Sequence, residues 1–152
     1  MHNWFECKIR YEKIAENGMN KKVTEPYLVD ALSFTEAESR IIEEITPFIS
    51  GEFTVSDIKR ANYSELFPSD EEAADRWFKC KLYFITLDEK SGAEKKTATN
   101  VLVQAADLRD AVKKLDEGMK GTMADYQIAS VAETAIMDVY PYSAEPDDKP
   151  EV

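Results

Sequence analysis

Hydrophobic and polar positions alternate over residues 3–14. Phe5, Cys7, Ile9 and Tyr11 point one way; Trp4, Glu6, Lys8 and Arg10 point the other. A period of two predicts a half-buried strand. Residues 16–20 follow with Asn17-Gly18, a pair that readily takes the positive φ of a hairpin turn. A second strand is expected over residues 22–31. Pro26 has no N–H to give to a ladder, so an edge position or a bulge is expected there. The period then lengthens. Phe34, Ala37, Ile41 and Ile45 recur at helical spacing, with Glu38, Glu43 and Glu44 outside. Ser33 and Glu36 form a capping box at the helix start, and Pro47 and Gly51 mark its end. Residues 53–67 read as extended but exceed a typical strand. A break near Lys59-Arg60-Ala61, giving two short strands, is expected.

The same pattern then returns. Trp4-Phe5-Glu6-Cys7-Lys8-Ile9-Arg10-Tyr11 is answered 73 positions later by Trp77-Phe78-Lys79-Cys80-Lys81-Leu82-Tyr83-Phe84. Leu28-Val29-Asp30-Ala31 is answered by Leu102-Val103-Gln104-Ala105 at a displacement of 74, so the second hairpin carries one extra residue. Phe34, Ala37, Ile41 and Ile45 fall on Leu108, Ala111, Leu115 and Met119, and Asp107 takes the N-cap place of Ser33. Phe67-Pro68 matches Tyr140-Pro141. Four segments echoed in order point to an internal duplication. The expected fold class is α+β: duplicated β-β-α-β units, antiparallel sheets with one helix per repeat, and pseudo-two-fold symmetry. The expected division is a first repeat at 1–68, an acidic connector at 69–75, a second repeat at 76–142 and a disordered acidic tail at 143–152. The two repeats are expected to form one compact domain, because each alone is marginal for an independent core.

Composition narrows the function. An apolar fraction of 43%, with seven Tyr, seven Phe and two Trp, suffices for a real core. The formal net charge is −11, most of it in the connector and tail. That balance disfavours nucleic acid as a partner, since such binders are normally basic. No secretory leader and no run of about 18 apolar residues is apparent, so a cytoplasmic protein without a membrane span is expected. Cys7 and Cys80 occupy equivalent positions. Reduced thiols packing as small apolar groups are expected there, with a symmetric disulfide as the alternative.

Candidate chemistry is sparse. His2 is the only histidine, which leaves no basis for a histidine-dependent triad or a histidine-rich metal site. There is no CxxC unit, no Walker loop and no GxGxxG. The acidic pairs, such as Asp116-Glu117, do not converge on a helix. No catalytic residues, no metal and no cofactor are therefore expected. What stands out is the outer face of the repeated strand, where Trp4 lies beside Lys8 and Arg10, and Trp77 beside Lys79, Lys81 and Tyr83. Two readings compete. Either each Trp is core and the lysines are merely solvated, or the strips are aromatic-plus-basic platforms for a protein partner or a single nucleic-acid strand.

Three strings also carry a family resemblance: the opening Trp4-to-Tyr11 motif, Glu-Phe-Thr-Val-Ser-Asp-Ile-Lys-Arg-Ala-Asn-Tyr at 52–63, and Ala-Asp-Leu-Arg-Asp-Ala-Val-Lys-Lys-Leu-Asp-Glu-Gly-Met at 106–119. They resemble a bacterial and phage family of unknown function, found mainly in gut Bacteroidetes. The resemblance implies a cytoplasmic protein of phage or mobile-element origin and brings no activity with it. The leading expectation is a non-enzymatic interaction or assembly module that meets itself or a protein partner. The alternative is a single-stranded nucleic-acid binder using the seven strip residues.

Overall fold

The structure, a computed structural model, describes residues 2–142; the expected tail at 143–152 lies outside them. The fold is α+β, with two four-stranded mixed sheets and two α-helices among the described residues. The chain divides into two compact units. Of the described residues, one takes those up to Asn62 together with Ala135–Tyr142; the other takes Tyr63–Thr134.

In the first unit β1 (Trp4–Ile14) and β2 (Asn20–Asp30) form a long antiparallel hairpin. Gly18 turns it at a φ of 81°, and the Ala15 amide donates to the Met19 carbonyl to close it. Helix α1 (Phe34–Ile45) follows. Its box forms as expected from the sequence: the Glu36 amide donates to Ser33 Oγ, and Glu36 Oε1 accepts from the Leu32 amide. A single 3₁₀ turn (Thr46–Phe48) leads out of the helix. Then β3 (Phe53–Ala61) pairs antiparallel with β1.

The chain now leaves that sheet. Strand β4 (Glu65–Phe67) pairs in parallel with β6 (Glu94–Ala105) of the second unit. There β5 (Arg76–Leu87) and β6 make the antiparallel hairpin, α2 (Leu108–Gly118) packs on it, and β7 (Asp125–Glu133) flanks β5. The last strand, β8 (Val139–Tyr140), returns to pair in parallel with β2 of the first unit. The sheets read β3-β1-β2-β8 and β7-β5-β6-β4. Each therefore contains one parallel pair, which corrects the expectation of purely antiparallel sheets. The break expected near residue 60 is real, but the two pieces it separates belong to different units.

Local details repeat between the units. β3 carries an extra residue, Ser56, between the partners of Lys8 and Ile9. β7 carries Ala129 likewise, between the partners of Lys81 and Leu82. These are β-bulges, which bend and twist an outer strand. Pro26 explains itself differently from the edge or bulge expected. β2 is an inner strand with unbroken pairing to β1. The Pro26 carbonyl accepts from the Met137 amide, and the Leu28 amide donates to Asp138. Pro26 thus turns its missing donor toward the β8 side, where the ladder is only two residue pairs long, and costs the hairpin nothing.

Each helix buries one stripe on its own sheet. Phe5, Cys7, Ile9, Val29 and Ala31 pack with Ala37, Ile41 and Ile45. Phe78, Cys80, Leu82, Val101, Val103 and Ala105 pack with Ala111, Leu115 and Met119. Burying a side chain the size of Ile, Leu or Phe contributes roughly 1.5–3 kcal/mol, so these two clusters hold the fold. Phe34 departs from its predicted inner place. It remains 47% exposed, with its ring edge-on to Phe5 at 4.9 Å. Both cysteines are buried and free, as expected for small apolar groups. Burial first, then Glu6 and Asp57, pushes the Cys7 thiol up to about 12, and burial pushes Cys80 up to about 11.

Candidate functional site

The seven strip residues fall on the two sheet faces turned away from the helices. Trp4 is 5% exposed and Trp77 4%; the His2 ring also stacks on Trp4 at 5.1 Å. Neither indole offers an open face for stacking. The charged members differ between the strips. On β1, Lys8 sits opposite Asp57 and Glu6 opposite Lys59, while Arg10 is exposed between Thr54 and Thr24. On β5, Lys79 lies between Ala132 and Leu102, and Lys81 between Ser130 and Asn100. Lys81 Nζ stands 5.4 Å over the Tyr83 ring. In the first strip Lys8 thus has an acid across the strands while Arg10 has none, and in the second strip neither lysine has one.

Two clusters had no clear signal in the sequence. One clasps the exit of each parallel strand. Asp30, 4% exposed, accepts from the Asn3 amide at 2.9 Å and the Tyr142 amide at 3.4 Å, and meets His2 Nδ1. Arg40 reaches from α1 to the Asp30 carbonyl and to the Pro141 carbonyl at 3.2 Å, with its guanidinium 4.9 Å over the Tyr142 ring. In the second unit, Gln104 Oε1 accepts from the Ser69 amide at 2.9 Å. Lys114 reaches from α2 to Ser69 Oγ, Glu71 and Asp110. Different side chains thus hold the same backbone feature, and these clusters are structural clasps.

The other cluster lies at the hairpin end of the first unit. Glu25, 9% exposed, accepts from Tyr11 Oη at 2.8 Å and Tyr27 Oη at 3.4 Å, with Lys13 Nζ at 3.5 Å. Burial, then the Glu25 hydrogen bond and charge, pushes the Tyr11 phenol up to about 12. Tyr27 rises further, from burial and the charge of Glu25. A carboxylate satisfied by phenols that stay protonated is a stable arrangement, not a proton shuttle. It fixes the floor beside a cleft of about 1020 Å³ lined by Arg10, Lys22, Phe48, Ile49, Phe53 and neighbours. Phe48 is 78% exposed and Ile14 74%. Of this cleft, sequence reasoning singled out Arg10. Phe48 was missed because it follows the helix, outside any strand or helix period. These large apolar side chains stand open beside both cations and acids, Arg10 and Lys22 with Glu12 and Glu52.

Among the described residues no three His, Cys, Asp or Glu side chains group to hold a metal ion, and no helix is long and apolar enough to cross a membrane. No curated protein and no solved structure matches the chain. A family model does, over residues 3–142, from the opening strand to the Tyr142 clasp. The chain belongs to the family described as a domain of unknown function, DUF4494.

Proposed function

We propose that this protein is a non-enzymatic interaction module that assembles with a second copy or a protein partner through the open edges of its sheets. The observation that carries the reading is the sheet order. β3 and β7, nine residues each, bond to one neighbour only. An unpaired strand edge is a template for another strand. β7 is the more receptive edge: residues 126–132 carry no charge, whereas β3 carries Asp57, Lys59 and Arg60, side chains of the kind that guard an edge. We read the two units as descendants of one duplicated half related by a pseudo-two-fold. Their matching element order and matched bulges support this. The motif resemblance supports a cytoplasmic role for a phage or mobile-element protein. Light scattering over a concentration series tests assembly, with β7 carrying Ile128→Lys as the control. A rising mass that Ile128→Lys abolishes is expected. A mass of one chain at every concentration, with no partner recovered, overturns the reading.

A second reading has its own observation. Lys79 and Lys81 have no acid opposite them, and Lys81 caps Tyr83. Such a strip suits a single nucleic-acid strand, against the chain's negative balance. The expected signature is oligonucleotide anisotropy that rises at low salt, collapses with added salt and is lost in Lys79→Ala/Lys81→Ala. No rise at low salt removes it.

A further inference from the structure

We propose that Asn17 is a site of spontaneous covalent modification, at which the Gly18 nitrogen closes on the Asn17 side-chain amide and turns it into a carboxylate. This chemistry goes beyond the interaction reading and does not depend on it.

The two hairpins are turned by the same device built from different atoms. At the first tip the Met19 amide donates to Asn17 Oδ1 at 3.0 Å, and the Gly18 amide to the Ala15 carbonyl at 2.9 Å. At the second the Ala93 amide donates to Ser91 Oγ at 3.2 Å, and the Gly92 amide to the Asp88 carbonyl at 2.7 Å. Gly18 and Gly92 both hold positive φ, 81° and 72°. A short side chain that offers an acceptor to the amide two residues on suits the place before such a glycine. Ser91 offers an inert hydroxyl. Asn17 offers a carbonyl whose carbon a nucleophile can attack, and the Gly18 nitrogen is the next residue's own.

The setting favours that attack. Asn17 and Gly18 are exposed, and a Cβ built on Gly18 would meet nothing within 4 Å, so no side chain screens the nitrogen. The Met19 amide points at Oδ1, the oxygen on which charge builds when Cγ is attacked, and a donor fixed there stabilises the intermediate. The reacting groups share one turn, which removes the entropy cost of bringing them together. Asn3, Asn20, Asn62 and Asn100 instead precede Trp4, Lys21, Tyr63 and Val101, whose side chains crowd the following nitrogen. The Ala15 carbonyl is the restraint: it holds the Gly18 N–H, so the turn opens before the nitrogen reacts.

The step balances with water alone. The Gly18 nitrogen bonds to Cγ and gives its proton to solvent. The Cγ–Nδ2 bond breaks, and Nδ2 takes a proton from solvent and leaves as ammonia. The cyclic imide then adds water. Opening at Cγ leaves aspartate in the ordinary chain; opening at the backbone carbonyl leaves isoaspartate, with the chain running through the former side chain. Either product adds a negative charge at the tip, and isoaspartate adds a carbon to the turn that joins Ile14 to Asn20.

The experiment ages the full chain in warm neutral buffer and maps its peptides by mass spectrometry, with fragmentation that tells isoaspartate from aspartate. Residue 17 is expected to exchange NH for O and to appear as both isomers, while the other asparagines stay intact. Hydroxylamine, which opens the imide, should cut the chain after residue 17. Asn17→Ser, which copies the second hairpin, should keep the fold by circular dichroism and abolish the cut. The chain unfolded in guanidinium should convert about tenfold faster, because the folded turn must first open. Asn17 left intact over many half-lives of the unfolded chain, aspartate without isoaspartate, or a cut that persists in Asn17→Ser overturns the inference. So does equal conversion at another asparagine, or a folded rate that matches or exceeds the unfolded one.

Discussion

The two units share a backbone plan and disagree in chemistry. Both run hairpin, helix, outer strand, with a bulge at the same place in the outer strand. The first holds a buried carboxylate between two tyrosines, Glu25 with Tyr11 and Tyr27; Thr99, Phe84 and Val101 stand there in the second. The first clasps its parallel strand with Asp30 and Arg40, the second with Gln104 and Lys114. What both keep is volume under the helix and a partner for each backbone group that a clasp must hold. Packing and hydrogen-bond satisfaction constrain a fold; the particular groups that meet those demands are free to change.

The comparison breaks first at the cores. Phe5 and Phe78 are 0% and 2% exposed. Truncation of either to Ala should cost about 3–5 kcal/mol in chemical denaturation. A cost several times smaller in one unit would show that its helix is not carried by the matching ring. Next come the clasps. Asp30→Ala leaves the Asn3 and Tyr142 amides without their acceptor and should cost about 2–3 kcal/mol, against about 1 for Gln104→Ala, because bonds to a charged acceptor are stronger. Equal losses would mean that charge adds nothing there.

A smaller and sharper test is Gly118. A methyl in its place would sit 2.9 Å from the Phe67 ring. Replacing a helical glycine by alanine normally gains up to about 1 kcal/mol. Here the crowded ring should turn that gain into a loss of about 1 kcal/mol. Thermal melts of Gly118→Ala and Gly118→Ala/Phe67→Leu read the sign directly. A gain in the single variant would show that the ring moves aside freely.

Alkali gives the gentlest discrimination. Cys7, Tyr11 and Tyr140 are raised to about 12 in the first unit, and Cys80 to about 11 in the second. A raised acid stays neutral in the fold while its unfolded counterpart ionises. The stabilisation is therefore complete below the ordinary values of 9.0 for thiols and 10.0 for phenols. It falls as pH climbs toward the folded values. Hydrogen exchange should loosen the first unit before the second between about pH 10 and 12. Loosening in the reverse order would sink the assignment. At neutral pH neither thiol should react with iodoacetamide in the folded chain.

Much of this architecture was legible before any coordinates. The strand alternation from Phe5 to Tyr11, the Ser33 and Asp107 caps and the Asn-Gly turn are local patterns. Local sterics and the burial of one face decide them, so the order of residues carries them. Three things were not local. The two-residue strand β8 and the three-residue β4 are too short to specify a partner, and only the completed sheets reveal that β4 belongs with β6 in the second unit and β8 with β2 in the first. Alternation showed that Trp4 and Trp77 share a face with lysines, but it cannot say whether that face is covered; the structure buries both. The cleft joins a hairpin tip to the loop after a helix, residues about thirty apart in sequence. Sequence sets which side of an element a residue occupies, through the fixed geometry of its backbone. Which elements then come together, and which surfaces stay open between them, is settled by the packing of the whole unit.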